Sequence, residues 1–296
     1  MGKTLTLSVI FQGSSLNFGE GTANISELKK YHRGNGEVYT FASRQSIRYD
    51  IVRLGNELFG WNLDTVDKSK GVIQFKENVT IAESVEMDLF GYLKTGNPSK
   101  KRAAVARLSH ALSLEPYKGD MEFLNNMGLA ERLPKESPNI ANLEQHQSFY
   151  AYHLSVDLDK VGVDGDLVLS TDERIRRVKQ LLDVLKVLNR DIKGRRENLA
   201  PLFIVGGVYD VSNPFFLGRL QLTGNSKGWW LQMEPLQDAL NTTWNEISVR
   251  DRTRLGVVSG WLANEAIIRD QLGDQSGSVE QFFAWIGKEV ESAIGA

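Results

Sequence analysis

The chain has 296 residues, enough for one large domain or two small ones with a sizeable core. Its 41% hydrophobic and 24% charged residues are ordinary for a globular protein, and its longest apolar runs are far too short to span a bilayer. Cysteine is absent, which excludes disulfides and thiolate metal sites, and a net charge of −2 means that any nucleic-acid-binding surface must gather its basic residues on one face.

The N-terminal residues predict a strand followed by a flexible loop. Apolar and polar residues alternate over residues 4–11, the period of a strand with one buried face. Residues 12–36 are rich in Gly, Asn and Ser, which predicts a loop with a short helix at residues 26–30. Within this loop, Asn17 and Gly19 would let the backbone approach a sugar-phosphate chain closely.

A helix is predicted to begin after the short apolar segment at residues 38–42. Ser43 has the residue type of an N-cap, and apolar residues recur after it at helical spacing. Arg44, Gln45, Ser46 and Arg48 then place guanidinium, amide and hydroxyl donors where unpaired backbone N–H groups point outward. A helix N-terminus favours anions, whereas arginines there oppose the helix dipole unless an anion is nearby. This conflict indicates phosphate binding; an ordinary capped helix with solvated arginines is the open alternative.

A long, irregular, proline-containing insertion is predicted at residues 94–147, after a strand at residues 72–75. It begins with a basic stretch of Lys94, Lys100, Lys101 and Arg102, near aromatic residues that could stack on bases. A solvated loop explains the same residues equally well. A strand-like piece at residues 103–108 lies inside the insertion.

The remaining elements alternate between strands and helices. Strands are predicted at residues 149–158 and 202–208, and a helix at residues 171–193 that is capped by Ser170 and ended by Gly194. A last helix begins at Ser278, with Gln281 three residues later. Lys227 beside two tryptophans is a weaker candidate for nucleic-acid contact. The element order favours an α+β fold of the ferredoxin-like kind.

Little in the sequence indicates catalysis. The four histidines have no metal-ligand spacing, no nucleophile-elbow motif occurs, and no acidic cluster resembles a two-metal nuclease site. The aspartates at positions 88, 157, 159, 164 and 166 are each explained by strand ends and turns. We therefore expect a protein without catalytic residues, metal or cofactor.

Several segments, taken in order, resemble one family. They are GSSLNFGEG at residues 13–21, NIS at 24–26, YTFASRQSIRY at 39–49, DLFGY at 88–92, KRAAV at 101–105 and PLFIVGGVY at 201–209. Together they are similar to the CRISPR-associated DevR autoregulator family, the backbone subunit of type I-B Cascade within the RAMP superfamily. The resemblance runs from residue 4 to about residue 220 and rests on the order and spacing of the segments.

The resemblance implies one RAMP-type domain over residues 1–296, with a modified RRM or ferredoxin-like palm and large insertions. The insertion at residues 94–147 is the candidate for the thumb and finger-like regions. Copies would stack head to tail along one guide RNA (crRNA), kink it at intervals and leave the intervening bases to pair with target DNA. The aromatic RNA-stacking signature of ordinary RRM domains is missing here, which favours gripping of the RNA backbone.

In relatives, a serine, a glutamine and a basic residue at the first helix hold the RNA. Here these fall on Ser43, Gln45 and Arg48. The whole set of predicted RNA-binding residues is Ser43, Arg44, Gln45, Ser46, Arg48, Arg53, Asn17, Gly19, Lys94, Lys100, Lys101, Arg102 and Lys227.

The expected partners follow from the same resemblance. They are crRNA, target DNA through the guide, neighbouring copies, the large, tail and crRNA-processing subunits of Cascade, and a recruited nuclease or transposition proteins. We expect a cytoplasmic location and no membrane partner. Two alternatives stay open: a metal-dependent endonuclease subunit that cuts target RNA, as in type III complexes, and a transcriptional autoregulator.

Overall fold

A computed structural model describes residues 2–69, 71–133 and 138–296. Its helices, in chain order, are α1 (Arg44–Phe59), α2 (Val85–Phe90), α3 (Met127–Ala130), α4 (Thr171–Lys186), α5 (Met233–Leu240), α6 (Glu265–Leu272) and α7 (Val279–Gly295). Its strands are β1 (Thr4–Ser14), β2 (Ile25–Ser26), β3 (Lys30–His32), β4 (Val38–Ala42), β5 (Val66–Ser69), β6 (Val72–Phe75), β7 (Tyr92–Lys94), β8 (Lys100–Arg102), β9 (Ala106–Leu108), β10 (Ala111–Ser113), β11 (Asp120–Asn125), β12 (Ile140–Gln145), β13 (Gln147–Asp157), β14 (Val163–Asp164), β15 (Leu167–Val168), β16 (Asn189–Ile192), β17 (Arg195–Asn198), β18 (Phe203–Tyr209), β19 (Leu222–Asn225), β20 (Gly228–Leu231), β21 (Thr243–Trp244), β22 (Ile247–Ser248), β23 (Thr253–Val257) and β24 (Ser276–Gly277).

The main sheet confirms the predicted α+β, ferredoxin-like palm. Its strand order is β24-β23-β18-β1-β13-β10-β4-β3, with β9 paired to β13 as well. The strands β18, β1, β13 and β10 are antiparallel neighbours, in the order expected when two strand–helix–strand units interleave. The first strand of the chain therefore lies at the centre of the sheet.

The sheet separates two hydrophobic cores. Because side chains alternate across a strand, Leu5, Leu7 and Val9 of β1 face one side, where they pack against α1, α4 and α7. Ile10 faces the other side, where the C-terminal elements around α5 and α6 cover the sheet. Both cores depend on residues after position 222, since β23 pairs with β18 and α7 packs beneath the sheet.

Two predictions about secondary structure are wrong. Residues 26–30 form no helix, because Ile25–Ser26 pairs with β12 and Lys30–His32 pairs with β4. The helix predicted over residues 171–193 ends at Lys186. The chain then turns into the β16–β17 hairpin, where Lys193 and Gly194 both have positive φ in the connecting turn, so that Gly194 serves this turn rather than a helix end.

The insertion at residues 94–147 is more regular than predicted. It completes the β7–β8 hairpin, adds β9 and β10 to the main sheet, and forms a smaller sheet of β11, β12 and β2. Residues 134–137 of this insertion lie outside the described residues. The smaller sheet and α3 expose several large apolar side chains, including Phe123 and Met127.

A buried ion network joins the helical layer to the β7–β8 hairpin. The side chain of Asp88 is fully buried and accepts hydrogen bonds from Arg102 Nη2 at 2.6 Å, from Arg177 Nη1 at 2.8 Å and from Gly162 N at 2.9 Å. Arg177 is also buried, and it donates to the carbonyl oxygen of Ile81 and to Glu173. Asp88 is therefore a structural anchor.

Candidate nucleic-acid interface

The start of α1 is built as predicted, with two additional contacts. Ser43 is the N-cap, and its Oγ accepts the N–H of Ser46 at 3.2 Å. The Ser43 N–H donates to Asn17 Oδ1 at 3.0 Å, so the predicted glycine-containing loop is attached to the helix start. The Arg44 N–H donates to His110 Nδ1 at 3.0 Å. These contacts hold the first turn of α1 in a fixed position.

Two predicted residues at this helix start present donors to solvent. Arg44 and Gln45 are exposed, and their side chains make no hydrogen bond or ion pair within residues 2–69, 71–133 and 138–296. In the same described ranges, the Gln45 N–H also has no partner. Arg44 and Gln45 thus combine a guanidinium, an amide and a backbone N–H, which are donors suited to a phosphate.

The other predicted residues of α1 are already engaged. Arg48 Nη2 donates to Glu86 at 2.7 Å, and its guanidinium lies over the ring of Phe90. Arg53 binds Glu57 and Asn189. Ser46 Oγ donates to the Ser43 carbonyl oxygen. Arg48 remains partly exposed, so a phosphate would share it with Glu86, whereas Arg53 mainly fixes the β16–β17 hairpin against α1.

The β16–β17 hairpin places Lys193, a cation that no sequence pattern indicated, near the start of α1. Arg190 donates to Asp50 of α1 at 2.9 Å and to the Ser46 carbonyl oxygen, which ties the hairpin to the helix. At the hairpin turn, Lys193 Nζ lies 5.2 Å from the ring centre of Phe18. Lys193 therefore stands beside the loop that carries Asn17.

The predicted glycine loop needs glycine at position 21 rather than at position 19. A Cβ on Gly21 would lie 2.2 Å from the Ile25 carbonyl oxygen, whereas a Cβ on Gly19 would find only ordinary contacts. Gly19 is exposed and its N–H donates to the Glu27 carbonyl oxygen.

Sequence patterns also did not predict the aromatic cluster that lies next to Arg44. Tyr31 stacks on Phe41 with ring centres 4.2 Å apart, and the ring of His110 meets Phe41 edge-on at 5.1 Å. Tyr31 is 40% exposed. The cluster forms because β3, β4 and β10 are neighbours in the sheet, a pairing that no local pattern reveals.

The predicted basic stretch needs correction at two positions. Lys94 is only 3% exposed, and its Nζ donates to the carbonyl oxygens of Glu77 and Val79. The side chain of Arg102 is 7% exposed and is bound to Asp88. Burial and internal hydrogen bonds occupy both cations, which keeps Lys94 and Arg102 from contacting a nucleic acid at this surface. Lys100 and Lys101 are exposed on the β7–β8 hairpin.

Lys227 lies at the turn of the β19–β20 hairpin and is exposed. The hairpin packs on the sheet through Trp229, whose ring centre is 5.0 Å from that of Phe149. Lys227 takes no part in the hydrogen bonds that Asn17, Ser43, Arg44 and His110 make at the start of α1.

The part of the chain that the structure describes contains no group of three or more His, Asp or Glu side chains placed to hold a metal ion. In that same part, no helix is both long enough and apolar enough to cross a bilayer.

The sequence matches the family model described as "CRISPR-associated negative auto-regulator DevR/Csa2" over residues 5–222. The chain belongs to the DevR/Csa2 family. The matched residues contain α1, the Asn17 loop, Asp88, Arg102 and β18, so the resemblance found in the sequence is confirmed.

A relative of this DevR/Csa2 family chain agrees with the assignment. A Myxococcus xanthus (strain DK1622) protein, "CRISPR-associated protein Cas7/Cst2/DevR", is 27% identical over an alignment of 176 residues, and the match covers 53% of this chain and 58% of that protein. The match thus spans little more than half of the relative's length.

Solved structures show the same fold over nearly the whole chain. A subunit of a "CRISPR RNA-guided surveillance complex, pre-nicking" superposes with a TM-score of 0.59 at 14% identity, covering 98% of this chain and 100% of the subunit. A subunit of another "CRISPR RNA-guided surveillance complex" gives the same TM-score and identity, and the match covers 98% of this chain and 99% of that subunit. The likeness therefore includes the C-terminal elements that lie beyond the family match.

Proposed function

We propose that this chain is a non-catalytic, crRNA-binding backbone subunit of a type I-B Cascade surveillance complex. Several copies stack head to tail along one guide RNA and present its bases to target DNA. The observation that carries the proposal is the start of α1, where Arg44 and Gln45 offer exposed donors beside an outward-facing N–H, in a chain of the DevR/Csa2 family.

The chemistry of this surface fits an RNA backbone rather than a base sequence. Guanidinium, amide and helix N-terminal donors bind phosphate oxygens, which carry no sequence information. Sequence reading is then left to base pairing between guide and target. Lys193 and the exposed Tyr31 flank the helix start and extend the surface for a single strand through charge and stacking.

The proposed partners are crRNA, target DNA through the guide, neighbouring copies and the large, tail and crRNA-processing subunits. The complex is proposed to act in the cytoplasm without a membrane partner. A recruited nuclease or transposition proteins would join at the target.

Charge reversal of Arg44 to glutamate should weaken RNA binding about 10- to 100-fold without destabilising the fold. A carboxylate would repel the phosphate and remove one cation from the interface. A carboxylate in the first turn of a helix also interacts favourably with the helix dipole. We therefore expect the free energy of unfolding to stay constant or rise by about 0.3–1 kcal/mol. RNA affinity measured at several salt concentrations and a denaturation curve would test both statements.

Arg176→Glu is the matched control, because Arg176 is an exposed arginine in the first half of α4 that, among the described residues, pairs with Glu173 alone. It makes the same change of charge on α4 and not at the start of α1. Equal loss of RNA affinity in the two variants would show a general effect of charge and would contradict the assignment of the site.

The double variant Gln45→Ala with Arg48→Ala should likewise retain less guide RNA in the assembled complex while the chain stays folded.

The non-catalytic part of the proposal has its own test. Assembled complex incubated with RNA complementary to its guide and with Mg²⁺ should leave that RNA intact. Cleavage products at regular intervals would instead identify a target-RNA endonuclease.

The family description also names a negative auto-regulator. We expect the isolated chain not to shift a DNA fragment carrying its own promoter. A specific shift that survives competitor DNA would favour transcriptional regulation.

A further inference from the structure

A cavity of about 510 Å³ opens next to the aromatic cluster that flanks α1. It lies between the turn after β3, the strands β10 and β13, and the segment leading into β19. Its lining includes Arg33, Tyr39, His110, Leu112, Leu220 and Gln221. The volume falls in the range of pockets that hold small molecules or single nucleotides.

His110 connects this cavity to the start of α1. Its Nδ1 accepts the Arg44 N–H, so this nitrogen must carry the lone pair. Burial, together with the positive charges of Arg44 and Lys29, lowers the pKa of His110, which keeps the ring neutral at neutral pH. The proton of the neutral ring is therefore on Nε2.

The Nε2–H group of His110 has no hydrogen-bond partner within residues 2–69, 71–133 and 138–296. The ring cannot turn freely, because the Arg44 N–H holds one edge and Phe41 packs against it at 5.1 Å. His110 lines the cavity, so a neutral donor whose ring is held by its neighbours belongs to the cavity wall.

Two further polar side chains line the cavity without an internal polar partner among the described residues. The guanidinium of Arg33 lies over the ring of Tyr39 at 5.1 Å and makes no ion pair there. The amide of Gln221 is exposed and likewise unbonded. The cavity therefore combines the cation of Arg33, the amide of Gln221 and the neutral N–H of His110 with several leucine side chains. This lining is better matched to a nucleotide, which has polar and charged groups, than to a purely apolar ligand.

We propose that this cavity holds the ribose next to the phosphate bound at α1, and that His110 Nε2–H donates to its 2′-hydroxyl, so that the site distinguishes RNA from DNA. The inference rests on the proposed RNA-binding function. The Arg44 N–H and the His110 Nε2–H lie on opposite sides of one imidazole ring, so a strand with a phosphate at α1 reaches His110 within one nucleotide. The 2′-hydroxyl is the group that tells RNA from DNA.

Two substitutions separate this role from support of the helix. His110→Asn keeps an acceptor near the position of Nδ1 for the Arg44 N–H but removes the distant donor. His110→Gln places an amide N–H near the position of Nε2. Affinity is measured for a single-stranded RNA and for the DNA of the same sequence and length.

We expect His110→Asn to lower RNA affinity about five- to tenfold, the effect of one hydrogen bond, and to leave DNA affinity unchanged. His110→Gln should keep more of the preference for RNA. In RNAs with single 2′-deoxy replacements, the wild type should lose affinity at one position of the binding site, and His110→Asn should be insensitive there.

Equal losses for RNA and DNA would overturn the inference and would leave His110 as a support of the helix start. An unchanged preference for RNA in His110→Asn would also overturn it. Failure of the wild type to bind either strand would refute the proposed function itself, which keeps the two failures distinct. A melting curve of each variant verifies that it is folded.

Discussion

Replacing Asp88 by alanine is expected to lower the free energy of unfolding by about 3–5 kcal/mol. The substitution removes the buried carboxylate that Arg102 and Arg177 share, so that Arg177 keeps only its bond to Glu173 among the carboxylates of the described residues, and the Gly162 N–H loses its acceptor. A buried charge that loses its main counter-ion is costly because the protein interior solvates it poorly. Asp88→Asn should also destabilise the fold strongly, since an amide keeps the size but loses the charge.

Chemical denaturation followed by the fluorescence of the six tryptophans would measure this change. Asp191→Ala is the matched control, because Asp191 pairs with Arg196 on the exposed β16–β17 hairpin. Such a solvent-exposed pair contributes little to stability, because water screens its charges. If Asp88→Ala cost no more than this control, the network would not be a structural anchor.

Stability is expected to fall as the pH drops from about 6.5 to about 4, by about 3 kcal/mol through His153 alone. His153 is buried, with Nδ1 2.9 Å from Ser8 Oγ and Nε2 2.8 Å from Ser155 Oγ. Burial lowers its pKa to about 4, so the folded state resists protonation. The unfolded chain takes up this proton from about pH 6.5 downward, and so acid favours unfolding in this window.

His146 acts in the same direction, because burial lowers its pKa as well. Unfolding curves of the wild type and of His153→Gln, recorded between pH 7 and pH 4, would isolate His153. The wild type should lose about 3 kcal/mol more over this range than the variant does. Parallel pH profiles would show that the folded state does not hold His153 in its neutral form.

Local patterns predicted the elements that depend on neighbours in sequence. Ser43 and Ser278 are N-caps, and Gln281 completes a capping box with Ser278, because these contacts span only three residues. The order of the main strands and helices also followed from periodicity, and with it the ferredoxin-like palm.

The candidate site could be predicted only in part, because half of it comes from distant strands. Arg44 and Gln45 are visible as a basic helix start. His110 reaches Arg44 only through the pairing of β10 with β4, across 66 residues of sequence. The sequence around His110 contains no motif that indicates this contact.

Burial of cations was equally hidden from the sequence. Arg102 lies in a run of basic residues, which is typical of a solvated or nucleic-acid-binding surface, yet its guanidinium reaches Asp88. That carboxylate also meets Arg177, 89 residues away. The long helix likewise ends earlier than its local pattern predicts, since Asn189–Ile192 pairs with β17, a contact outside the helical pattern.

The central position of β1 has a consequence for synthesis of the protein. Its partners are β13 and β18, and β18 ends at Tyr209. At about 5–20 residues per second, the ribosome needs about 10–40 s to make the intervening chain. Until β13 is made, this apolar strand has no partner on either edge, and until β18 is made it still lacks one, a condition that favours aggregation. Slower translation would prolong this exposure, so the yield of soluble protein should depend on chaperones that bind nascent strands.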